Sequence, residues 1–520
     1  MIPKSFDQVH YNAQIITMDS ENESAEMIGI TQNKFVYVGP NKTSYLDRAE
    51  NVRDLEGKTI IPGLIDLHTH LWKEAEVISV DLGQEQTYSG TIDRLAQEVR
   101  AAQPGEWIFA SKWDESRWPD RKEFLSRQDL DEISPNNPVY TYREDGHLVV
   151  CNSLALKQLS IPPDHAGVER DISGNPTGVL KDVWLDLIPY YKDKLPHSIE
   201  KSVHIAASKG ITAVVDNLTI RPSGQQYIIR TYLQLDLLGK IPIRIFLNPT
   251  RELIGEFTRL GIPQNWGSHM VRFSGFKGFF DGALGAQTAL LNSSYVDIDH
   301  QGDKFLEEDE LIDQISHAEE HGLTICIHAI GDQAIERLLT CYEKGIKAAG
   351  HNSSERQHRI EHAEMISDDQ IRRAKELGIL LSMQPNFLKW EYPGELYEQR
   401  LGKDRCMTLN RFAAILEHGH MLNFGSDNMP LSPFYGIRYA ATFPSKEVKI
   451  PVSEALKAYT VSNAKALFMD SQLGSITVGK YADFVVLTSN PLRMDPTEIT
   501  DSLVSTTVVG GRPVCSERSH

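Results

Sequence analysis

The sequence predicts an α/β protein: a (β/α)8 TIM-like barrel, a small β-sandwich built from both chain ends, and a large insertion after the first barrel strand. Three observations carry this expectation. The middle of the chain alternates short apolar runs with helical segments, the pattern of a parallel sheet covered by helices. Both ends are instead rich in short strands and turns. The gap between the first two apolar runs, 60–67 and 211–216, is far longer than a βα unit needs.

Taken in order, 9–18, 25–30 and 34–39 set β-branched and aromatic residues between turn formers and read as strands. Eight apolar runs follow at 60–67, 211–216, 241–247, 271–277, 323–328, 357–362, 378–384 and 421–427. Helices fit between several of them, as at 308–321 and 368–377. Near the C-terminus, 480–487 and 502–509 are strand-like, and Gly510-Gly511 marks a turn. The ends of one domain often lie close together. The expected layout therefore joins 1–57 to 466–520 in the sandwich and 58–70 to 206–465 in the barrel, with 71–205 as an inserted lid or pocket wall.

Composition narrows the function. Hydrophobic residues at 41%, charged residues at 24% and a mean hydropathy of −0.33 describe an ordinary soluble globular protein. A formal charge of −18 with no basic block argues against nucleic-acid or anionic-membrane partners, which leaves a small-molecule substrate. Homo-oligomerisation is left open. The five cysteines are scattered and lack a Cys-x-x-Cys pair, so reduced thiols are expected, not a disulfide frame or cysteine-ligated zinc. The N-terminus has no signal-like apolar core, and no run reaches the ~18 residues of a membrane span. A cytoplasmic location follows.

The chemistry starts at His68-Thr69-His70, which closes the apolar run 59–67. Residues two apart on a strand project to one side, so two imidazoles converge there, and a divalent metal is what such a pair commonly holds. Lys277, His328, His362 and Asp427 end four further runs. Singly, each has an ordinary explanation: a satisfied polar histidine, a helix-capping aspartate, a lysine reaching solvent. Together they fall where barrel strands open onto the catalytic face. Neutral imidazoles and a carboxylate suit zinc or a similar ion, and the chemistry they support is metal-assisted hydrolysis.

These residues, with their surroundings, resemble the amidohydrolase superfamily of metal-dependent (β/α)8 hydrolases. Finer matches resemble its amidohydrolase 3 branch, which includes N-substituted formamide deformylases. They are Pro62-Gly63-Leu64-Ile65-Asp66-Leu67-His68, Lys277 with Asp281-Gly282-Ala283-Leu284-Gly285, His328-Ala329-Ile330-Gly331-Asp332, Arg359-Ile360-Glu361-His362-Ala363-Glu364, Phe424-Gly425-Ser426-Asp427 and the segment 474–483. The resemblance implies that His68, His70 and Asp427 bind the more buried metal, most simply Zn(II). It implies that Lys277, once carbamylated, bridges to a second ion held by His328 and His362. An unmodified ammonium cannot be a ligand, so a one-metal site is the alternative. It further implies attack by a metal-bound hydroxide on a substrate carbonyl, with Asp427 as general base and then acid.

Glu144-Asp145-Gly146-His147 resembles the branch's Asp-Gly-His element and makes His147 a candidate oxyanion donor; otherwise it is a turn built by Asp-Gly. Trp113 and Trp118 are candidates for the pocket wall or for the core of the insertion. Asp332 is a candidate second-shell partner of a metal-binding histidine. Phe387, Trp390 and Tyr392 hint at an apolar or aromatic substrate group. The expected reaction is hydrolysis of a non-peptide C–N bond in an amide, N-formyl amine or cyclic amide. A heterocycle deaminase is the nearest rival, although the glutamate such enzymes carry three residues after the third histidine is here Gly331. A non-catalytic scaffold is a further alternative, and no expected ligand is missing.

Overall fold

The computed structural model describes residues 5–21, 23–74, 80–159, 167–181, 195–219 and 222–516. Parts of the expected insertion, 75–79, 160–166 and 182–194, lie outside the described residues.

Two all-parallel sheets form the centre of this α/β fold. One has four strands in the order Val271–Phe273, Arg244–Asn248, Ile211–Asn217, Leu64–Thr69. The other has five: Phe276–Phe279, Ile325–Ala329, Arg359–His362, Leu380–Met383, Leu422–Phe424. Their residues are buried almost throughout, as expected for strands covered on both faces. The covering helices Glu308–His321 and Asp368–Leu377 have the bounds read from the sequence. Each stops at a glycine in the left-handed region, Gly322 (φ +70) and Gly378 (φ +73), and Ser367 with Gln370 forms a capping box at the start of the second.

The two sheets meet at both ends. Ser274-Gly275 is all that separates Val271–Phe273 from Phe276–Phe279. On the other side, Asn463 Nδ2 donates to the carbonyls of Ile65 and Phe424, each at 2.7 Å, and the Asp427 amide donates to His68 O at 2.8 Å.

The apolar run 60–67, read as one strand, is two. Thr59–Pro62 pairs antiparallel with Phe484–Leu487 and parallel with Gln14–Ile16, whereas Leu64–Thr69 joins the parallel sheet. Gly63 is the crossing point: a Cβ there would lie 2.1 Å from Thr212 Oγ1. The run 271–277 is likewise broken, at Ser274-Gly275.

Thr59–Pro62 thus belongs to a six-stranded sheet that also holds Arg512–Ser516, Val504–Val509, Phe484–Leu487, Gln14–Ile16 and Ser24–Ala25. A four-stranded sheet of Lys34–Gly39, Met27–Thr31, Phe6–Tyr11 and Ala49–Asp54 shares an apolar cluster with it, including Ile28, Phe35, Ile60, Phe484 and Val508. Between the first two parallel strands lies a mixed six-stranded sheet of Val168–Arg170, Pro176–Lys181, Leu148–Cys151, Val139–Arg143, Ile108–Trp113 and Val80–Asp81. Trp113 and Trp118 stack at 5.8 Å inside its core, fully buried, and do not line the pocket. All five cysteines are free thiols. Among the described residues no helix is long and apolar enough to cross a membrane.

Candidate active site

His68, His70, His328, His362 and Asp427 come together at or just past the C-terminal ends of the parallel strands; Lys277, expected to end a strand, is instead the second residue of Phe276–Phe279 and lines the same cavity as four of them. Their imidazoles form a chain of close rings: His68–His70 at 5.4 Å, His68–His362 at 4.7 Å and His328–His362 at 4.5 Å. His147, from the inserted sheet, extends the chain to His328 at 5.2 Å. A cavity of about 400 Å³ opens onto His70, His147, Lys277, His328, His362 and Asp427, with His68 fully buried behind.

Hydrogen bonds set which ring nitrogen each histidine presents. His68 Nδ1 donates to Glu361 Oε2 at 2.6 Å, and His70 Nδ1 donates to Asn217 O at 2.9 Å. His328 Nε2 donates to Gly282 O at 2.9 Å. A neutral imidazole carries one proton, so the opposite nitrogens are lone pairs. Burial, reinforced by neighbouring cations and imidazoles, holds His328 and His362 well below the usual histidine range and therefore neutral.

The second ring nitrogens of His68 and His70 face Asp427. Asp427 Oδ1 lies 3.1 Å from His70 Nε2 and 3.7 Å from His68 Nε2. Burial alone would raise the pKa of Asp427, but His68 and His70 beside it bring it below the usual carboxylate range. The buried atoms His68 Nε2, His328 Nδ1, His362 Nδ1, Lys277 Nζ and Asp427 Oδ1 have no hydrogen-bond partner. Buried imidazole nitrogens and a carboxylate oxygen left without partners are compensated by a cation among them, so the donor set fits a divalent metal. The ligand atoms of His68, His362 and Asp427 all lie within 4.8 Å of one another. This group draws on both expected sets: His362 falls with His68 and Asp427.

Backbone geometry aims two of these side chains. His362 (φ 76) and Ala363 (φ 50) end one strand, and Asp427 (φ 51) and Asn428 (φ 61) follow another, all in the left-handed region that non-glycine residues rarely adopt. Such strain gathers where a side chain must be redirected at a functional site.

Lys277 is fully buried over the Phe279 ring at 4.8 Å. Burial brings its amine down to about 8, with Glu361 and Asp427 opposing part of the shift.

Several supporting residues escaped the sequence reading as functional groups. Glu361 is held by Arg359 Nε at 2.9 Å; burial alone would raise its pKa, but Arg359 and His68 keep it ionised. It thereby fixes the His68 tautomer. Asp66 accepts from the amides of Ser426 at 2.9 Å and His68 at 3.2 Å, tying the two ligand-bearing strands. Asp281 accepts from the Leu290, Ile330 and Gly331 amides and lies 3.6 Å from His328 Nε2. It occupies the place considered for Asp332, which instead binds Asn292. A local signal existed for Glu361 and Asp66, which lie beside or two residues before a ligand histidine. Phe387 and Trp390 line a small niche beside His362, whereas Tyr392 packs on Tyr439 and Phe443.

The model of the amidohydrolase family matches residues 51–515, nearly the whole chain and every residue of this site. The chain belongs to the amidohydrolase family. It is 31% identical to "Protein LONG AFTER FAR-RED 3" of Arabidopsis thaliana, over 96% of this chain and 90% of that protein. It is 26% identical to an N-substituted formamide deformylase of Arthrobacter pascens, covering 97% of each. An uncharacterized metal-dependent hydrolase of Pyrococcus horikoshii shares the amidohydrolase fold, with a TM-score of 0.74 at 24% identity over 95% of this chain and 99% of that one.

Proposed function

We propose that this chain is a metal-dependent hydrolase of a non-peptide C–N bond in an amide, N-formyl amine or cyclic amide. The observation that carries the reading is the cluster of His68, His362 and Asp427, whose ligand atoms lie within 4.8 Å of one another while the buried His68 Nε2, His362 Nδ1 and Asp427 Oδ1 have no hydrogen-bond partner. A bound divalent ion, zinc by the donor set, supplies a Lewis acid and lowers the pKa of a water towards ~7.

The chain's own groups do the rest. His68, His70, His362 and Asp427 hold the ion, and Lys277 in a carbamylated form extends the site towards His328 and a second ion. The buried, unpartnered Lys277 amine favours that modification, since it replaces a lone cation by a ligand. Asp427 takes the proton of the attacking water and passes it to the leaving nitrogen. His147 donates a hydrogen bond to the carbonyl oxygen as negative charge develops there. The formamide deformylase of Arthrobacter pascens supports the reaction class.

The deaminase alternative is weakened by Gly331. A Cβ there would lie 2.0 Å from the Leu290 carbonyl oxygen, so a proton-shuttling glutamate has no room at that position. The reading also includes closure of the two parallel sheets into one (β/α)8 barrel, supported by Asn463 bridging Ile65 and Phe424. It keeps a β-sandwich built from both ends, 1–57 and 466–520 now joined by Thr59–Pro62, and the described part of 71–205 as the wall over the site.

The test is metal content together with amine release from a panel of formamides, acyl amides and cyclic amides, with Asp427→Asn as control. Amine release that needs metal and Asp427 is expected. Deamination of heterocycles with no amide cleaved would overturn the reading.

A further inference from the structure

The turn Glu144-Asp145-Gly146-His147 follows the strand Val139–Arg143 and brings His147 of the inserted sheet against His328. Cations hold that turn from three sides. Arg143, fully buried, donates Nη1 to Asp145 Oδ2 at 2.7 Å. Its Nε and Nη2 donate to Glu115 Oε2 and Oε1 at 2.8 and 3.0 Å, and Nη2 also reaches Asp114 Oδ1 at 3.2 Å. The other oxygen of Asp145 accepts from the His147 amide at 3.1 Å. Glu144 is taken by Arg117 at 2.7 Å and by Lys389.

The pair also rests on the loop that follows Lys277. A Cβ on Gly285 would lie 2.6 Å from Asp145 Oδ2 and 2.8 Å from Arg143 Nη1. The absence of a side chain at 285 therefore lets the Arg143–Asp145 pair seat on that loop. Through this contact the inserted sheet takes its position from the part of the fold that carries Lys277 and, through the Gly282 carbonyl, His328.

We infer that Arg143 is a positioning residue: with Asp145 it clamps the turn onto Gly285 and so places the His147 imidazole over the reacting centre. This rests on His147 being the group that meets the substrate carbonyl. A guanidinium is required because it engages Glu115 with two nitrogens and Asp145 with a third, which a lysine ammonium cannot do from one point. A buried ion network that merely glues the insertion together would act on stability instead.

The experiment uses Arg143→Lys, His147→Asn and their double mutant in the full-length protein, assayed on the best-cleaved amide of the panel above. Arg143→Lys is expected to lower kcat about 10- to 100-fold, within the range of a misplaced general catalyst, with KM and bound metal unchanged. In the His147→Asn background the same substitution should cost less than about threefold, because the two act as a unit. Gly285→Ala, which presses on the pair from the opposite side, should reproduce the kcat loss and keeps the test open if Arg143→Lys does not fold. Independently of turnover, amide exchange across 144–147 should quicken about tenfold in both variants while 139–143 and 148–151 keep their protection. Losses that multiply in the double mutant, or loosening of the whole inserted sheet, would overturn the clamp. If His147→Asn alone leaves kcat unchanged, the role proposed for His147 fails and the clamp with it. If His147→Asn costs activity while Arg143→Lys costs none, only the clamp fails.

Discussion

The two walls of the cavity are held by different forces. On the strand-end wall, His70 and His328 are tied to backbone carbonyls of Asn217 and Gly282, and left-handed residues aim His362 and Asp427. His68 adds a charged partner, Glu361. On the opposite wall, His147 stands on a turn held by Arg143, Arg117 and Lys389. Ligands of a metal must converge within tenths of an ångström, and rigid parallel strands supply that. A group that meets the substrate needs a wall that can differ between relatives, and an inserted sheet docked through ion pairs supplies that. Strand geometry fixes the one wall; ion pairs fix the other.

The contrast can be broken in graded steps. Asp427→Asn should have the largest effect, lowering turnover by about 1,000-fold or more, because the proposed mechanism uses the residue as both ligand and proton carrier. Steady-state assay beside a metal count checks it, and substantial turnover in the variant would remove Asp427 from the mechanism. Gly425→Ala attacks the strand-end wall alone. Its Cβ would lie 2.5 Å from the His68 amide nitrogen, so about 2 kcal/mol of stability and metal retention should be lost together, read by thermal unfolding and metal analysis. Gly285→Ala, which presses on the Arg143–Asp145 pair of the inserted sheet, should leave bound metal unchanged. Glu361→Gln should keep the fold but weaken zinc binding about 10- to 100-fold in competition titrations, the range for losing an outer partner of a metal-binding histidine. Unchanged affinity would show that Glu361 does not set the His68 ligand.

The smallest effect lies away from both walls, in the terminal sheets. Burial, aided by Arg53, lowers the pKa of His10 to about 4, below the ordinary value of 6.5. The unfolded chain therefore takes up this proton first, so stability is full above pH 6.5 and falls as pH drops towards 4. Between about pH 7 and 5.5 the loss from His10 should be about 1 kcal/mol in denaturant unfolding. His10→Leu should flatten that part of the slope; an unchanged slope would contradict it.

What was legible in the sequence follows the same division. His68, His70, Lys277, His328, His362 and Asp427 could be found because buried strands leave apolar runs, and each ligand ends or closely follows one. The helices Glu308–His321 and Asp368–Leu377 were readable to the residue because Ser367, Gly322 and Gly378 mark their ends chemically. The break at Gly63 was not readable, since a run buried on both faces has the same texture in either sheet. Nor was the grouping of His362 with His68 and Asp427, which depends on how distant strands lie together. The partner of Glu361 was hidden for that reason, although its place beside His362 was not: Glu361 meets His68 across 293 residues of sequence. Trp113 and Trp118 could have been wall or core by composition, and only packing places them in the core.

The most direct measurement is amine release from the amide panel by protein stripped of metal, before and after zinc is restored. The expected result is cleavage that vanishes on stripping, returns with zinc, and fails to return in Asp427→Asn. Amide cleavage that persists without metal, or zinc-loaded protein that cleaves no amide while deaminating heterocycles, would contradict it.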